Sequence, residues 1–412
     1  MSGLIQDIKL IGDEVAWLKS LRDEGKNSFA FPTVKSENWK YTKVHSLMKE
    51  TFTPSHYANV SASKINLDSY QIHFINGFFN PINTNLPDDV EVVPLIEKLI
   101  EGEGCQCHAK VKKAQEKIIN LSSSTPFVAL NSVYLQEGIF IKINKTLDKP
   151  IVLINHTKTD ENFFYNLRNI IILEENASAE LLEIYTYEGK EKTTYFGNHV
   201  NEITINKDAK LNHYKLQSEA FYAYHLAFTN VDIKENGEYN NFCLQKGANL
   251  GRNEIHAKLL EENARANINA AYIMNGWATL DTTANIEHLS PKTYSDVFAK
   301  GVVGGNARGV FQGKIHIAKN AVHTEGKQLH KALLLSDTAE IDCKPELEIF
   351  ADDVKCSHGA ATGELDKNQI FYMQSRGILE DIARQILIDA YLDDVFEKIE
   401  NPKIKDWIKN NV

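Results

Sequence analysis

Two short stretches of this sequence set thiols beside imidazoles: Cys105-Gln106-Cys107-His108 and Val354-Lys355-Cys356-Ser357-His358-Gly359. Cysteine thiolate and neutral imidazole are ligands for soft metals and for iron–sulfur clusters. In an extended strand alternate residues share a face, so Cys356 and His358 would stand on one side, roughly 6–7 Å apart along the backbone. Both could address one cluster, or lie on either side of a subunit seam. A lone Cys-x-His is a weak motif, and a strand end that merely hydrogen-bonds through His358 explains it too. The first group follows Glu101-Gly102-Glu103-Gly104 and has no second pair at zinc-finger spacing. An exposed loop is the simpler reading for it.

Enzymatic motifs are missing. Arg308-Gly309-Val310-Phe311-Gln312-Gly313-Lys314-Ile315 comes nearest to a phosphate-binding loop, but Arg308 stands where Gly is needed and Ile315 where Ser or Thr is needed. There is no Gly-x-Ser-x-Gly elbow and no His-Glu-x-x-His. Acidic residues of the strand-rich region, such as Glu174, Glu175, Glu235, Glu261 and Glu262, fall at corners. A solvated rim accounts for them better than the clustered carboxylates of a sugar hydrolase. With 45 Lys and Arg against 55 Asp and Glu, the chain is a poor holder of nucleic acid. No apolar run is long enough to span a membrane, and the first residues do not resemble a secretory signal. The five cysteines, odd in number and scattered, do not form a disulfide framework. The expected compartment is the cytoplasm.

These residues must be positioned by elements that change texture along the chain. Residues 1–114 read as a mixed, partly helical region. Val15, Leu18 and Leu21 share a helical face, with Gly25 as the expected stop, and a second helix is expected near Val93–Glu101. Residues 115–358 read as strands: GIFIKIN, PIVLINH, NIIILEE, AELLEIYTY and their successors alternate in period two without helical crossovers. That excludes a doubly wound α/β fold. A corner motif recurs at Asn176, Asp208, Asn236, Asn263, Asn306 and Asn320, mostly followed by Ala, at intervals of 32, 28, 27, 43 and 14. Asn and Asp tolerate the left-handed backbone of tight corners. Intervals near multiples of 14 predict a solenoid, with a β-helix as the best candidate. Residues 359–412 read as helical. Asp366 caps the first helix and Gly377 ends it. An apolar stripe then runs from Ile378 through Ile382, Ile386, Leu392 and Phe396 to Ile399. Such a stripe needs a surface to cover, either its own solenoid or a partner.

The segment Leu347-Glu348-Ile349-Phe350-Ala351-Asp352-Asp353-Val354-Lys355-Cys356-Ser357-His358-Gly359-Ala360, continued by Gly363-Glu364-Leu365-Asp366 and Phe371-Tyr372-Met373-Gln374-Ser375-Arg376-Gly377-Ile378, closely resembles the C-terminal signature of the SufD branch of the SufB/SufD family. Glu37-Asn38-Trp39-Lys40-Tyr41-Thr42 resembles that family's N-terminal element. Between them the likeness is one of β-rich texture. The resemblance implies a mainly β protein, a right-handed parallel β-helix between helical end regions. It implies a non-catalytic scaffold for iron–sulfur cluster assembly, paired with SufB and carrying two copies of the ATPase SufC. It implies that His358, with Cys356 assisting, helps form a transient cluster at the SufB interface. A structural brace without a cluster ligand stays open, as does a homodimer of the isolated chain. Cys105, Cys107 and His108 have no counterpart in the family pattern.

Overall fold

Runs of β-branched and aromatic residues punctuated by Asn-Ala corners fold into a two-sided parallel solenoid of about seven turns. The computed structural model describes residues 4–5, 10, 15–33, 35–56, 65–81, 86–87, 89–100, 125–135, 137–190 and 192–411. The Cys105–His108 group and residues 115–124, expected as strand, lie outside them. Successive strands alternate between two stacked sheets. One runs from Val90–Pro94 to Glu340–Ile349, the other from Phe78–Asn80 to Lys355–Glu364. Lys210 pairs with Glu238, Glu238 with Arg265, Arg265 with Tyr294, Tyr294 with Glu325 and Glu325 with Lys355. Across both sheets one turn takes 26 to 32 residues, and the interval of about 14 is a half-turn, one strand and one corner.

All six Asn/Asp motifs fall at corners. On one edge every corner from Asn176 onward sets a non-glycine residue in the left-handed region: Asn176, Asp208, Asn236, Asn263, Lys292, His323 and Asp353, with φ from 53° to 61°. Their side chains stack, Asn263 Nδ2 donating to Asn236 Oδ1 (3.1 Å) and Asn236 Nδ2 to Asp208 Oδ1 (2.7 Å). Asn306 and Asn320 depart from the expected role. Asn306 sits on the opposite edge behind Gly305, which takes the positive φ, and Asn320 precedes a longer corner whose left-handed residue is His323. The alanines after the corners are buried because only a small side chain fits inside the bend.

The interior between the sheets is one continuous apolar cluster reaching from Ile72 to Phe311. The solenoid extends beyond the expected 115–358: Tyr70–Ile75 pairs with Ile151–Thr159, and the last strand continues to Glu364. Among the described residues three α-helices precede or enter the solenoid: α1 (Ala16–Ser28), α2 (Leu95–Ile100) and α3 (Pro126–Val133). Gly25 does not stop α1. It lies within the helix, where a Cβ would stand 2.8 Å from Ala129 O of α3, so its bareness sets the closeness of the α1–α3 crossing. After the last strand come α4 (Lys367–Ser375), α5 (Glu380–Phe396) and α6 (Pro402–Lys409). Asp366 accepts from Asn368 N and Gly377 (φ 84°) follows α4, as expected.

The apolar stripe of α5 divides. Leu392, Val395 and Phe396, with Ile399 and the α6 residues Ile404 and Ile408, cover Leu182, Leu216, Leu244 and Val302 on the outer face of one sheet. Leu379, Ile382 and Ile386 stay exposed. Residues 392–408 are thus part of the core. The exposed half belongs to an α4–α5 hairpin that buries Ile370 and Ala383.

Candidate functional site

The two ends of the solenoid are unlike. Each sheet begins on a short antiparallel strand, Phe78–Asn80 in one and Val90–Pro94 in the other. Each sheet ends on a ten-residue parallel strand, Glu340–Ile349 or Lys355–Glu364, paired on one side only. Leu329, Ile349 and Phe350 stand exposed around this end.

Cys356 and His358 lie on the final strand, in register with Gly326 and Gln328. Gln328 is buried between the sheets, and Cys356 packs against the apolar cluster around Ile315 and Ile317. Register partners in a parallel sheet share a face. The two residues therefore face the open end of the interior, Cys356 half-buried and His358 exposed. Cys343, on the neighbouring terminal strand, also packs toward the interior. Burial pushes the Cys343 thiol up to about 11. It also raises the Cys356 thiol, partly opposed by a bond from the Gly326 backbone. Both are thiols, not thiolates, near neutral pH. Among the described residues no three of His, Cys, Asp and Glu come together as a metal site.

The N-terminal signature has a structural role. Trp39 lies over the Arg252 guanidinium, 4.3 Å from ring centre to Cζ, and against Phe127. Thr42 Oγ1 donates to Asp281, which also pairs with Arg252. Lys344 reaches Glu37 (2.5 Å). The element straps the N-terminal region over the outer face of one sheet. The near-miss to a phosphate loop, Arg308–Ile317, is a solenoid strand.

Sequence reasoning missed a polar file inside the solenoid. Glu183, His213 and Lys215 are buried there with Tyr185, His199, His225 and Cys243. Glu183 accepts from His213 Nε2 (2.6 Å), Asn201 Nδ2 (2.8 Å) and Tyr185, with Lys215 Nζ at 3.9 Å. Burial alone would raise the Glu183 carboxyl, but Lys215, His213 and Tyr185 outweigh it and hold it below the ordinary range. Nearer the open end Tyr272 reaches across Gly301 to His330 Nε2 (2.6 Å). The signal was the alternation of Leu211, His213, Lys215 and Gln217. It was masked because Asn212, Tyr214 and Leu216 on the other face are buried too.

Among the described residues the solenoid thus ends on bare strand edges and carries an exposed helical hairpin. Residues 155–391 match the family model for the SUF system FeS cluster assembly, SufBD core domain. The chain is 28% identical to the iron–sulfur cluster assembly protein SufD of Escherichia coli, over 92% of this chain and 87% of that one. It is 28% identical to an iron–sulfur cluster assembly SufBD family protein of Synechocystis, over 90% and 84%. A chloroplastic protein of Arabidopsis thaliana is 34% identical over 60% and 52%. The chain belongs to the SufBD family and is similar to SufD in particular.

Proposed function

We propose that this chain is a non-catalytic, cytoplasmic scaffold subunit that joins SufB through the open end of its solenoid and SufC through the α4–α5 hairpin. His358, with Cys356 beside it, contributes to an iron–sulfur cluster that forms transiently at the SufB seam. The carrying observation is that Cys356 and His358 face the interior on a ten-residue strand whose outer edge is bare. A long unpaired edge is a template for another chain. In isolation the same edges would pair two copies of this chain. Ligands shared between two subunits let a small movement of one break part of the coordination shell, as a scaffold that must release its cluster requires. The test is His358→Ala in the three-subunit complex, with assembly followed by size-exclusion and cluster formation by visible absorption. Assembly stays intact and cluster formation drops at least about tenfold, the least that loss of even an outer-shell partner costs a metal site.

A second reading, a brace without a ligand, draws on the raised Cys356 thiol, which keeps that sulfur in its non-ligating form near neutral pH. Wild-type cluster formation by both His358→Ala and Cys356→Ser selects the brace.

A further inference from the structure

The large exposed apolar side chains fall into groups, and two of them belong to surfaces already assigned: the open end, and Phe371, Tyr372, Leu379, Ile382 and Ile386 on α4–α5. A third group does not. Phe221 is 41% exposed, Tyr222 37% and Trp277 72%. They sit on corners of one edge of the solenoid, between Ser218 and Tyr224 and between Met274 and Thr279. Phe221 and Tyr222 meet edge-on at 5.3 Å. Phe221 also lies against Gly276, where a Cβ would stand 3.3 Å from its ring, so the aromatic corners form one patch.

Between this edge and α5 opens a cleft of about 940 Å³. Phe221, Met274 and Ala278 line its solenoid wall, and Gln385, Ile388 and Leu392 its helix wall. On a helix of 3.6 residues per turn, Gln385 and Asp389 adjoin Ile382 and Ile386. The exposed stripe of α5 therefore runs up to the mouth of the cleft, and the opposite wall begins at Phe221, with Trp277 on the same corner as the lining residues Asn275 and Ala278. Two apolar surfaces left bare by the fold face one gap.

We propose that the subunit docking on α4–α5 also fills this cleft and closes against Phe221 and Trp277, so that it is gripped between helix and solenoid. This rests on the α4–α5 docking reading above. Both walls are regular elements, which suits an apolar ridge on a folded protein. Aromatic side chains of this kind make the centres of protein–protein contacts. The surrounding charges are mixed, Lys246 on one wall and Asp389 and Asp393 on the other, which fits a polar protein rim and not a nucleic acid.

Trp277 reports on the contact directly. Of the four tryptophans it alone is exposed. The chain is labelled with 5-fluorotryptophan, its resonances are assigned with Trp277→Phe, and unlabelled SufC is added. The Trp277 fluorine signal shifts. A Phe221→Ser/Trp277→Ser variant, checked for unchanged circular dichroism, binds about tenfold more weakly, as expected for loss of an aromatic anchor. Leu379→Asp abolishes binding. The clamp requires both the shift and the weakening, and failure of either overturns it. If Leu379→Asp still abolishes binding, docking on α4–α5 stands without the clamp. If Leu379→Asp binds like the wild type, the docking reading falls and the clamp with it.

Discussion

Replacing Lys215 by Met probes the interior charges most directly. Its Nζ stands 3.9 Å from Glu183 Oε1, both fully buried. At an effective dielectric constant of ~20 that separation gives about 4 kcal/mol of attraction. The lost hydrogen bond from Lys215 to Asn253 Oδ1 (3.2 Å) adds about 1 kcal/mol. Relief of the lysine's own burial offsets part of this, leaving a net loss of about 3–5 kcal/mol, the range for breaking a buried pair on one side. The sign with pH follows from Glu183. Its depressed carboxyl contributes stability present above the unfolded value near ~4.3 and lost as pH falls through the folded one. Without Lys215 burial prevails and the carboxyl rises, so the variant suffers most where Glu183 must be ionised. The gap from wild type, read by equilibrium urea unfolding, is largest near pH 7.5. Below the raised carboxyl value it narrows by about 1.4 kcal/mol per pH unit. Lys215→Met/Glu183→Gln recovers to within about 2 kcal/mol of wild type, because neither charge is left alone. A gap below about 1 kcal/mol at pH 7.5, or one unchanged at pH 5, would refute this account.

Gly301→Ala puts a methyl 2.2 Å from the Tyr272 ring, so urea unfolding should show a loss of about 1–3 kcal/mol that Tyr272→Leu partly restores. Burial pushes the Glu137 carboxyl up to about 7, against a bond from the Phe79 backbone and helped by Glu97. A raised carboxyl contributes stability that is full below about pH 4.5 and lost as pH rises through about 7. Glu137→Gln should therefore be more stable than wild type at pH 8, by about 1–2 kcal/mol after discounting for partial exposure, and lose that advantage at pH 4.5. An equal difference at both pH values, read from urea midpoints, contradicts the burial of the carboxyl.

The solenoid was legible because each turn repeats a strand and a corner, and corners need residues that accept a positive φ. Lys292 and His323 occupy such corners without belonging to the Asn/Asp pattern, which is why the spacing seemed to skip. Which face of a strand points inward was not legible. In Tyr195–Ile205 every residue is buried, since outer faces are covered as well, so period two carries no inside-or-outside signal. For the same reason the charges at Glu183 and Lys215 passed unread. The stripe from Ile378 to Ile399 looked like one surface, whereas only its second half meets the solenoid. Cys356 and His358 were singled out by alternation and by resemblance. That they face the open end required the register with Gly326 and Gln328.

The last strand joins the two proposed docking surfaces. It ends at Glu364 and α4 begins at Lys367, so only Leu365 and Asp366 separate the His358 strand from the hairpin. At its far end the hairpin is fixed: Lys300 Nζ donates to Tyr391 O (2.5 Å) and pairs with Asp394 (2.5 Å), beside the buried Leu392, Val395 and Phe396. A displacement imposed at Leu379 or Ile382 would meet that anchor on one side and the final strand on the other. The anchor combines apolar burial with a largely buried lysine, while the strand is hydrogen-bonded to a single neighbouring strand, Glu325–Leu334, and adds only the packing of Cys356 on the cluster around Ile315. The weaker attachment yields first. Movement of the hairpin would then reach the strand that carries His358 before it reached the body of the solenoid, as the proposed release of a shared cluster there requires.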